Sequence, residues 1–213
     1  MMTDDSKNIQ IFMRNFPLPV HKCDDIFHSI KTRCKYNCLY KYYIDQKNDR
    51  MDDGKTPLII SCIENNFESI NTLLTNHANI EDQDNQGWTV LHHASSNALP
   101  DIVDYLLCVG KANPNSKDIF GYTPLHLSYC NSVQPIGVSL KYIQVVQHLL
   151  NYKADINAEN RWCCTPLYVV SLFKNVEGNS KIMNILVENG AILKEKYSKE
   201  PKVLIDEIMN LKI

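Results

Sequence analysis

The chain repeats one short motif at a period of about 33 residues, and this period constrains the fold more than any other feature of the sequence. The clearest copy, D-I-F-G-Y-T-P-L-H-L, runs from Asp118 to Leu127, and an earlier copy, D-N-Q-G-W-T-V-L-H-H, occupies 84–93. A shorter copy, D-G-K-T-P-L-I, lies at 53–59, and a more diverged copy, W-C-C-T-P-L-Y, lies at 162–168. Such a period indicates a stacked array of small helical units, because one unit cannot bury its own apolar faces but neighbouring units can.

The motif divides most of the chain into four units of two helices each. Thr-Pro predicts the start of the first helix. Backbone N–H groups in the first turn have no partner within the helix, so the N–H that proline lacks costs nothing there. An apolar run later in each unit predicts the second helix. The resulting boundaries are 51–83 for repeat one, 84–117 for repeat two, 118–159 for repeat three and 160–193 for repeat four.

The segments on either side of these repeats lack the full motif. Residues 1–22 carry no clear period and are interpreted as an N-terminal lead. Residues 23–50 predict two short helices without the Thr-Pro start, which fits a degenerate capping repeat with a polar outer face. Residues 194–213 predict a short amphipathic helix that covers the exposed end of the stack.

Three places inside the repeats depart from the motif. Repeat three has extra residues near 132–140, and Pro135 and Gly137 within them predict a loop between its two helices. Lys111 is a one-residue insertion in repeat two, and Gly110 before it stands where the second helix needs a left-handed terminator. Cys163 replaces the glycine that precedes the first helix of repeat four, which leaves the conformation of that turn open.

Composition excludes several classes of function. A net charge of −2 over 213 residues offers no basic stripe for nucleic acid, and no apolar run reaches the ~18 residues that a membrane span needs. The first residues are polar and acidic, unlike a signal peptide. The eight cysteines are therefore expected to be reduced thiols rather than disulfides. We expect a cytoplasmic protein, with the nucleus as a second location.

The sequence carries no motif of known catalytic chemistry. It lacks a phosphate-binding glycine-rich loop, a G-x-S-x-G elbow and an H-E-x-x-H pair. His92 and His126 recur at the helix start, where they are expected to hydrogen-bond the turn and to tie one unit to the next. The spacing C-x4-H-x5-C-x3-C does not match a tight zinc knuckle, so Cys23, His28, Cys34 and Cys38 are expected to line the capping helices. We predict no enzyme activity and no metal, cofactor or small-molecule substrate.

The unit D-x-x-G-x-T-P-L-H, followed by L-L-x-x-G-A, resembles the ankyrin repeat over roughly 51–193, and more loosely over 23–50. The resemblance implies an all-α solenoid of stacked helix-turn-helix units with projecting hairpin loops. It also implies that the protein binds other proteins. Asn157, and less closely Asn115, fits the loop asparagine that a host asparaginyl hydroxylase modifies in this family.

Diverged repeats, uneven insertions and richness in Asn, Ile and Tyr are similar to the ankyrin proteins of large DNA viruses, above all poxviruses. This resemblance implies a non-catalytic scaffold that binds and blocks a host signalling factor. Masking of an NF-κB transcription factor is one concrete version. The alternative is an adaptor that brings a substrate to a host ubiquitin ligase, with the segment after 194 as the recruiting element.

The positions that the ankyrin unit leaves free are the loop tips and the inner face of the first helix, and these are the predicted partner-binding residues. Aromatic residues and arginine dominate interface hot spots, which favours Phe120 and Trp162 at a position that is usually polar. Trp88 and Tyr122 have a second reading, in which they pack on neighbouring loops. The full predicted set is Gln86, Trp88, Ser96, Asn97, Ile119, Phe120, Tyr122, Cys130, Asn131, Arg161, Trp162 and Phe173.

Overall fold

A computed structural model describes residues 26–31, 48–129, 136–173 and 178–193. Several predictions concern other residues and lie outside these ranges. They are the N-terminal lead, the cysteines of 23–38, Cys130, Asn131 and the C-terminal helix.

The described residues contain nine helices and no strand, which confirms an all-α solenoid. A short helix, α1, precedes four helix pairs, and the second helix of each pair follows the first after a short turn or insertion. The helices are α1 Ile26–Lys31, α2 Pro57–Ile63, α3 Phe67–Thr75, α4 Val90–Ser96, α5 Pro100–Cys108, α6 Pro124–Leu127, α7 Ile136–Asn151, α8 Pro166–Ser171 and α9 Asn179–Glu188.

The helices form two layers. The first helices of the repeats pack in order, α2 on α4, α4 on α6 and α6 on α8, while α5, α7 and α9 pack in order on the other layer. Helix α1 packs on α2, so the segment predicted to be a capping repeat does contact repeat one. None of the described helices is long and apolar enough to cross a membrane.

One continuous apolar core runs the length of the stack, because equivalent positions are buried in every repeat. The leucine of the Thr-Pro-Leu motif is at most 3% exposed in all four units. The second helices repeat this pattern with one leucine each, at 0–1% exposure. The two series are Leu58, Leu91, Leu125 and Leu167, and Leu73, Leu106, Leu149 and Leu186. Truncating such a leucine to alanine costs about 2–5 kcal/mol in a packed core.

The insertion in repeat three is partly helical, and the prediction of a loop over 132–140 is wrong for its last five residues. Helix α7 begins at Ile136 and is 16 residues long, whereas α3 and α5 each have nine. In the sequence, Pro135 directly precedes the first helical residue. Tyr142 lies on the buried face of α7 and donates a hydrogen bond from its hydroxyl to the Ser96 carbonyl over 2.8 Å.

The left-handed residue after α5 is Lys111, with φ +59°, and the prediction that Gly110 takes this role is wrong. The one-residue insertion in repeat two shifts Gly110 one place ahead of the turn. Gly110 is needed for space instead, because a Cβ there would overlap the end of the Ile80 side chain and would lie 2.8 Å from the Leu106 backbone carbonyl oxygen.

The hairpin loop before each first helix contains one residue in the left-handed conformation. Gly87 and Gly121 take it with φ of +80° and +83°, and Cys163 takes it with φ +60°. The turn of repeat four therefore keeps its conformation without glycine. A Cβ at Gly87 would meet the Ile119 nitrogen at 2.7 Å, so glycine also makes room for the next loop. The described chain contains no later hairpin loop beyond Cys163, and its side chain is exposed.

This difference predicts opposite effects of two substitutions. Gly87→Ala should lower the free energy of unfolding by about 2–4 kcal/mol, because it adds left-handed strain and an overlap with the next loop. Cys163→Gly should raise it by about 0.5–1 kcal/mol, because it relieves strain and leaves the neighbouring contacts unchanged. Urea unfolding of both variants measures this, and a Gly87→Ala protein as stable as the wild type would contradict the argument.

Candidate interaction surface on the hairpin loops

The four hairpin loops stand side by side and are joined by backbone hydrogen bonds. Each of the last three loops donates one N–H to the carbonyl at the tip of the loop before it. The bonds are Asn85 N–H to Asp53 O at 3.0 Å, Ile119 N–H to Gln86 O at 3.2 Å and Arg161 N–H to Phe120 O at 2.9 Å. These bonds fix the spacing of the loop tips and set equivalent positions of successive repeats next to each other.

The first residue of the motif organises the second, third and fourth loops from within. Asp118 Oδ1 accepts the backbone N–H groups of Phe120 and Tyr122 at 2.9 and 2.8 Å. Asp84 and Asn160 make the equivalent pairs of bonds in repeats two and four. Sequence reasoning did not single out this role, although an Asp or Asn stands three residues before the left-handed position in three of the four copies.

The predicted role of the two repeat histidines is confirmed. His92 Nδ1 accepts the Thr89 N–H at 3.1 Å, and its Nε2–H donates to the Tyr122 carbonyl of the next repeat at 3.1 Å. His126 makes the same pair, from Thr123 N–H at 3.0 Å and to the Cys164 carbonyl at 3.0 Å. Burial lowers the pKa of each imidazole to about 4, although the bond to the next carbonyl acts in the opposite direction. Both are therefore neutral structural groups at physiological pH.

A buried network under the second and third loops joins Asp118, Trp88, Asp84 and His93. The Trp88 indole N–H donates to Asp118 Oδ2 at 3.2 Å, and His93 Nε2 lies 2.9 Å from Asp84 Oδ2. Burial raises the pKa of Asp118 to about 6, against the opposing effect of the N–H groups that it accepts. Burial also acts to raise the pKa of Asp84. Its hydrogen bonds, of which the one with His93 has the largest effect, outweigh burial and lower this pKa.

Asn157 and Asn115 tie the bases of consecutive loops together. Asn157 Nδ2 donates to the Gly190 carbonyl at 3.2 Å, and its Oδ1 accepts the Ile192 N–H at 2.9 Å. Asn115 makes the matching bonds to Lys153 and Asp155. Hydroxylation of Asn157 stays a prediction, and a hydroxylase has to reach a side chain that is engaged at both ends.

The structure brings three of the predicted binding residues together at the tips of the last two loops. The rings of Phe120 and Trp162 stack with centroids 5.7 Å apart and planes inclined by 27°. The Arg161 guanidinium carbon lies 5.1 Å from the Phe120 ring centroid and 4.8 Å from that of Trp162. Ile119, beside them, is 59% exposed. We call these four residues the loop-tip cluster.

Three residues of the predicted binding set are buried, and their prediction as free surface is wrong. Trp88 is 4% exposed and Tyr122 is 1% exposed, because the next hairpin loop covers each ring. The Trp88 bond to Asp118 and the Tyr122 contact with Trp162, at 5.9 Å between centroids, show this cover. Ser96 is also buried under α7. The reading in which Trp88 and Tyr122 pack on neighbouring loops agrees with the structure.

The other described members of the predicted set lie away from the cluster or beside it. Gln86 and Asn97 are exposed, the first at the tip of the second loop and the second at the end of α4. Phe173 is half-buried and stacks on Tyr129 with centroids 4.9 Å apart. Among the described residues, no group of three or more His, Cys, Asp or Glu side chains is placed to hold a metal ion.

The structure is a repeat scaffold, in which helix pairs form two layers and the hairpin loops are hydrogen-bonded side by side. The side chains that are not used to pack the repeats include those at the loop tips. A family model of ankyrin repeats in three copies matches residues 29–118, and a second model of the ankyrin repeat matches 120–161. Together these matches cover more than half of the chain, which belongs to the ankyrin repeat family. Neither match reaches α8 and α9, which nevertheless pack as a fourth helix pair.

Similar proteins include ankyrin repeat proteins of poxviruses. The chain is 31% identical over 152 residues to the ankyrin repeat protein OPG189 of variola virus, covering 63% of this chain and 26% of that protein. It is 30% identical over 179 residues to the ankyrin repeat protein FPV031 of fowlpox virus, covering 79% of this chain and 48% of that protein. A human SH3 and multiple ankyrin repeat domains protein is 28% identical over 148 residues. The chain thus spans between about a quarter and a half of the length of these viral relatives.

The buried histidines predict how stability depends on pH. The pKa of each histidine is about 4 in the folded protein, against an ordinary value of 6.5 that we take for the unfolded chain. Their contribution to the free energy of unfolding is therefore complete above pH 6.5 and is lost as the pH falls towards 4. Asp118, with a folded pKa of about 6 against 3.8, acts in the opposite direction over much of this window. Because two histidines oppose one carboxyl group, the free energy of unfolding should fall by about 1.4 kcal/mol for each unit by which the pH is lowered.

The measurement is urea unfolding at several pH values between 4.5 and 7. His126→Gln keeps an acceptor and a donor but does not titrate. It should therefore reduce the dependence of the unfolding free energy on pH by about 1.4 kcal/mol per pH unit, which corresponds to one proton. An unchanged slope in this variant would show that His126 does not carry the pH dependence.

Proposed function

We propose that this protein is a non-catalytic scaffold that binds another protein through the loop-tip cluster of Ile119, Phe120, Arg161 and Trp162. The single observation that carries the proposal is the stack of Phe120, Arg161 and Trp162 at the surface of consecutive loops. Aromatic and arginine side chains are enriched at the centres of protein interfaces, because they bury a large area with few rotatable bonds.

The rigidity of the loops supports the same proposal. The backbone groups that carry the cluster are held by the bonds between loops and by Asp118 and Asn160. A partner therefore meets side chains that are already in place, and binding costs less conformational entropy than the ordering of a mobile loop. Phe120 and Trp162 are partly buried and pack against the edge of the apolar core, whereas Tyr122 is 1% exposed within it.

In its specific form, the proposal is that the partner is a host signalling factor and that binding blocks it in the cytoplasm or nucleus. Similarity to the poxvirus ankyrin repeat proteins supports a viral scaffold of this kind. An NF-κB transcription factor, masked at the surface that directs its localisation or its DNA contacts, is the concrete case that we propose. Co-precipitation of NF-κB subunits with the full chain tests this form separately from the binding surface.

The adaptor hypothesis depends on residues after 193, which lie outside the described part of the chain. It stays an alternative proposal, with a direct discriminating experiment. Deletion of 200–213 should remove a ubiquitin ligase partner and leave the binding of the loop-tip partner intact if the tail is the recruiting element.

Phe120→Ala combined with Trp162→Ala should abolish partner capture and leave thermal unfolding cooperative. The reason is that both side chains are partly exposed at the loop tips, so their loss removes contact area for a partner. Because Trp162 also contacts buried Tyr122, the midpoint of unfolding should fall while the transition stays cooperative. Affinity purification from expressing cells, followed by mass spectrometry, compares the variant with the wild type.

The matched control is Val109→Ala combined with Val187→Ala, which removes exposed apolar side chains at the ends of α5 and α9. These valines are 58% and 56% exposed and lie away from the loop tips. The control should keep every partner. If the loop-tip double variant also keeps its partners, the proposed surface is wrong.

A further inference from the structure

Arg161 differs from the other arginine in the described part of the chain because its guanidinium has no polar partner there. Arg50 donates to the carbonyls of Gln83 and Gly54 at 2.6 and 3.1 Å and pairs with Asp82 at 3.2 Å. Arg161 makes no ion pair or side-chain hydrogen bond with the described residues. Its side-chain contacts there are the faces of Phe120 and Trp162. Its hydrogen-bonding edge is therefore available to a ligand.

The carboxylate at the start of the third loop does not compete for this guanidinium. Asp118 is 7% exposed, and its oxygens accept the N–H groups of Phe120 and Tyr122 and the indole N–H of Trp88. The other nearby cation, Lys117, donates from Nζ to the Glu159 carbonyl at 2.9 Å and is held by that bond. Arg161 is thus an exposed cation that is positioned in advance by two rings.

The tips of the four loops change in character along the stack. The first carries Asp52 and Asp53, the second carries the neutral Asn85 and Gln86, and the last two carry the loop-tip cluster. Asp53 is paired with Lys55 at 2.6 Å, whereas the exposed Asp52 makes no ion pair with the described residues, so the first tip is acidic. Apolar surface and positive charge therefore coincide at one end of the row of loops.

We propose that the loop-tip cluster recognises a peptide segment of the partner in which a carboxylate side chain lies next to a large apolar side chain. This inference rests on the proposed function and specifies its partner. The carboxylate pairs with the free edge of the Arg161 guanidinium, whose planar fork matches two carboxylate oxygens. The apolar side chain lies on Ile119 and the exposed part of the Phe120 ring. Charge complementarity selects an acidic segment over a basic one, because a basic segment brings a like charge to Arg161.

A randomised twelve-residue peptide library displayed on phage, selected on the wild-type protein, tests the inference without knowledge of the partner. Selected peptides should carry Asp or Glu within two residues of an aromatic or branched aliphatic residue. One selected peptide is then synthesised with its Glu or Asp, with the matching Gln or Asn, and with phosphoserine at that position. Calorimetry measures the Kd of each peptide for wild-type, Arg161→Gln and Arg161→Lys proteins, and for Lys181→Gln, an exposed charge change on α9.

The expected result is that Arg161→Gln and the amide peptide each weaken binding about tenfold and that the two changes together add little, because they remove the same pair. Arg161→Lys should recover only part of the affinity, since lysine lacks the planar fork, and Lys181→Gln should change nothing. Far-ultraviolet circular dichroism confirms that each variant is folded.

Four outcomes would overturn the inference. Selection that enriches no peptide, or peptides without acidic residues, would rule out carboxylate recognition. A phosphoserine peptide that binds at least tenfold more tightly would reassign the site to a phosphate. If peptides bind without an acidic preference but lose binding to the Phe120→Ala, Trp162→Ala protein, the proposed surface stands and only its chemistry is wrong. If neither the Arg161 variants nor the Phe120→Ala, Trp162→Ala protein changes peptide binding, the proposed surface is wrong as well.

Discussion

Hydrogen bonds between consecutive repeats hold this structure in register, and the other features depend on them. The backbone bonds between loop tips and the bonds from His92 and His126 to carbonyls of the next repeat both require one fixed spacing. That spacing explains why Gly87 has no room for a Cβ and why the leucines of every repeat meet in one core. In a solenoid each unit contacts only its neighbours, so such bonds are the means by which one loop positions the next.

The sequence predicted the repeat, the helix pairs and the histidine role, because each depends on short-range patterns within one unit. It did not predict which loop aromatics are buried. Trp88 and Tyr122 lie on the part of the loop that the following repeat covers, and the Trp88 contact with Asp118 spans 30 positions in the chain. Neither periodicity nor residue type reports such a contact. The helical insertion at 136–140 was missed for a different reason, since Pro135 suits both a loop and the residue before a helix.

The repeats diverge from the motif at positions with different consequences. Ile59 and Tyr168 replace the histidine in repeats one and four, so these units lack that pair of polar bonds and rely on Thr56 and Thr165 to cap the helix. Phe120 and Trp162 replace a polar residue at the loop tip, where no scaffold bond requires a side chain. Divergence of the first kind alters how units are joined, whereas divergence of the second kind alters what the surface can bind.

We propose that the loop tips form a rigid surface before any partner binds. Amide hydrogen exchange followed by NMR tests it, because Ile119 and Arg161 donate their N–H groups to neighbouring loops although their side chains are exposed. Both amides should exchange at least about 100-fold more slowly than an unprotected amide, because opening a stable local structure limits exchange. The Asp53 amide, which donates no hydrogen bond within the described residues, should exchange freely. Free exchange at Ile119 and Arg161 would mean that the loops move independently, which would rule out a surface that is rigid before binding.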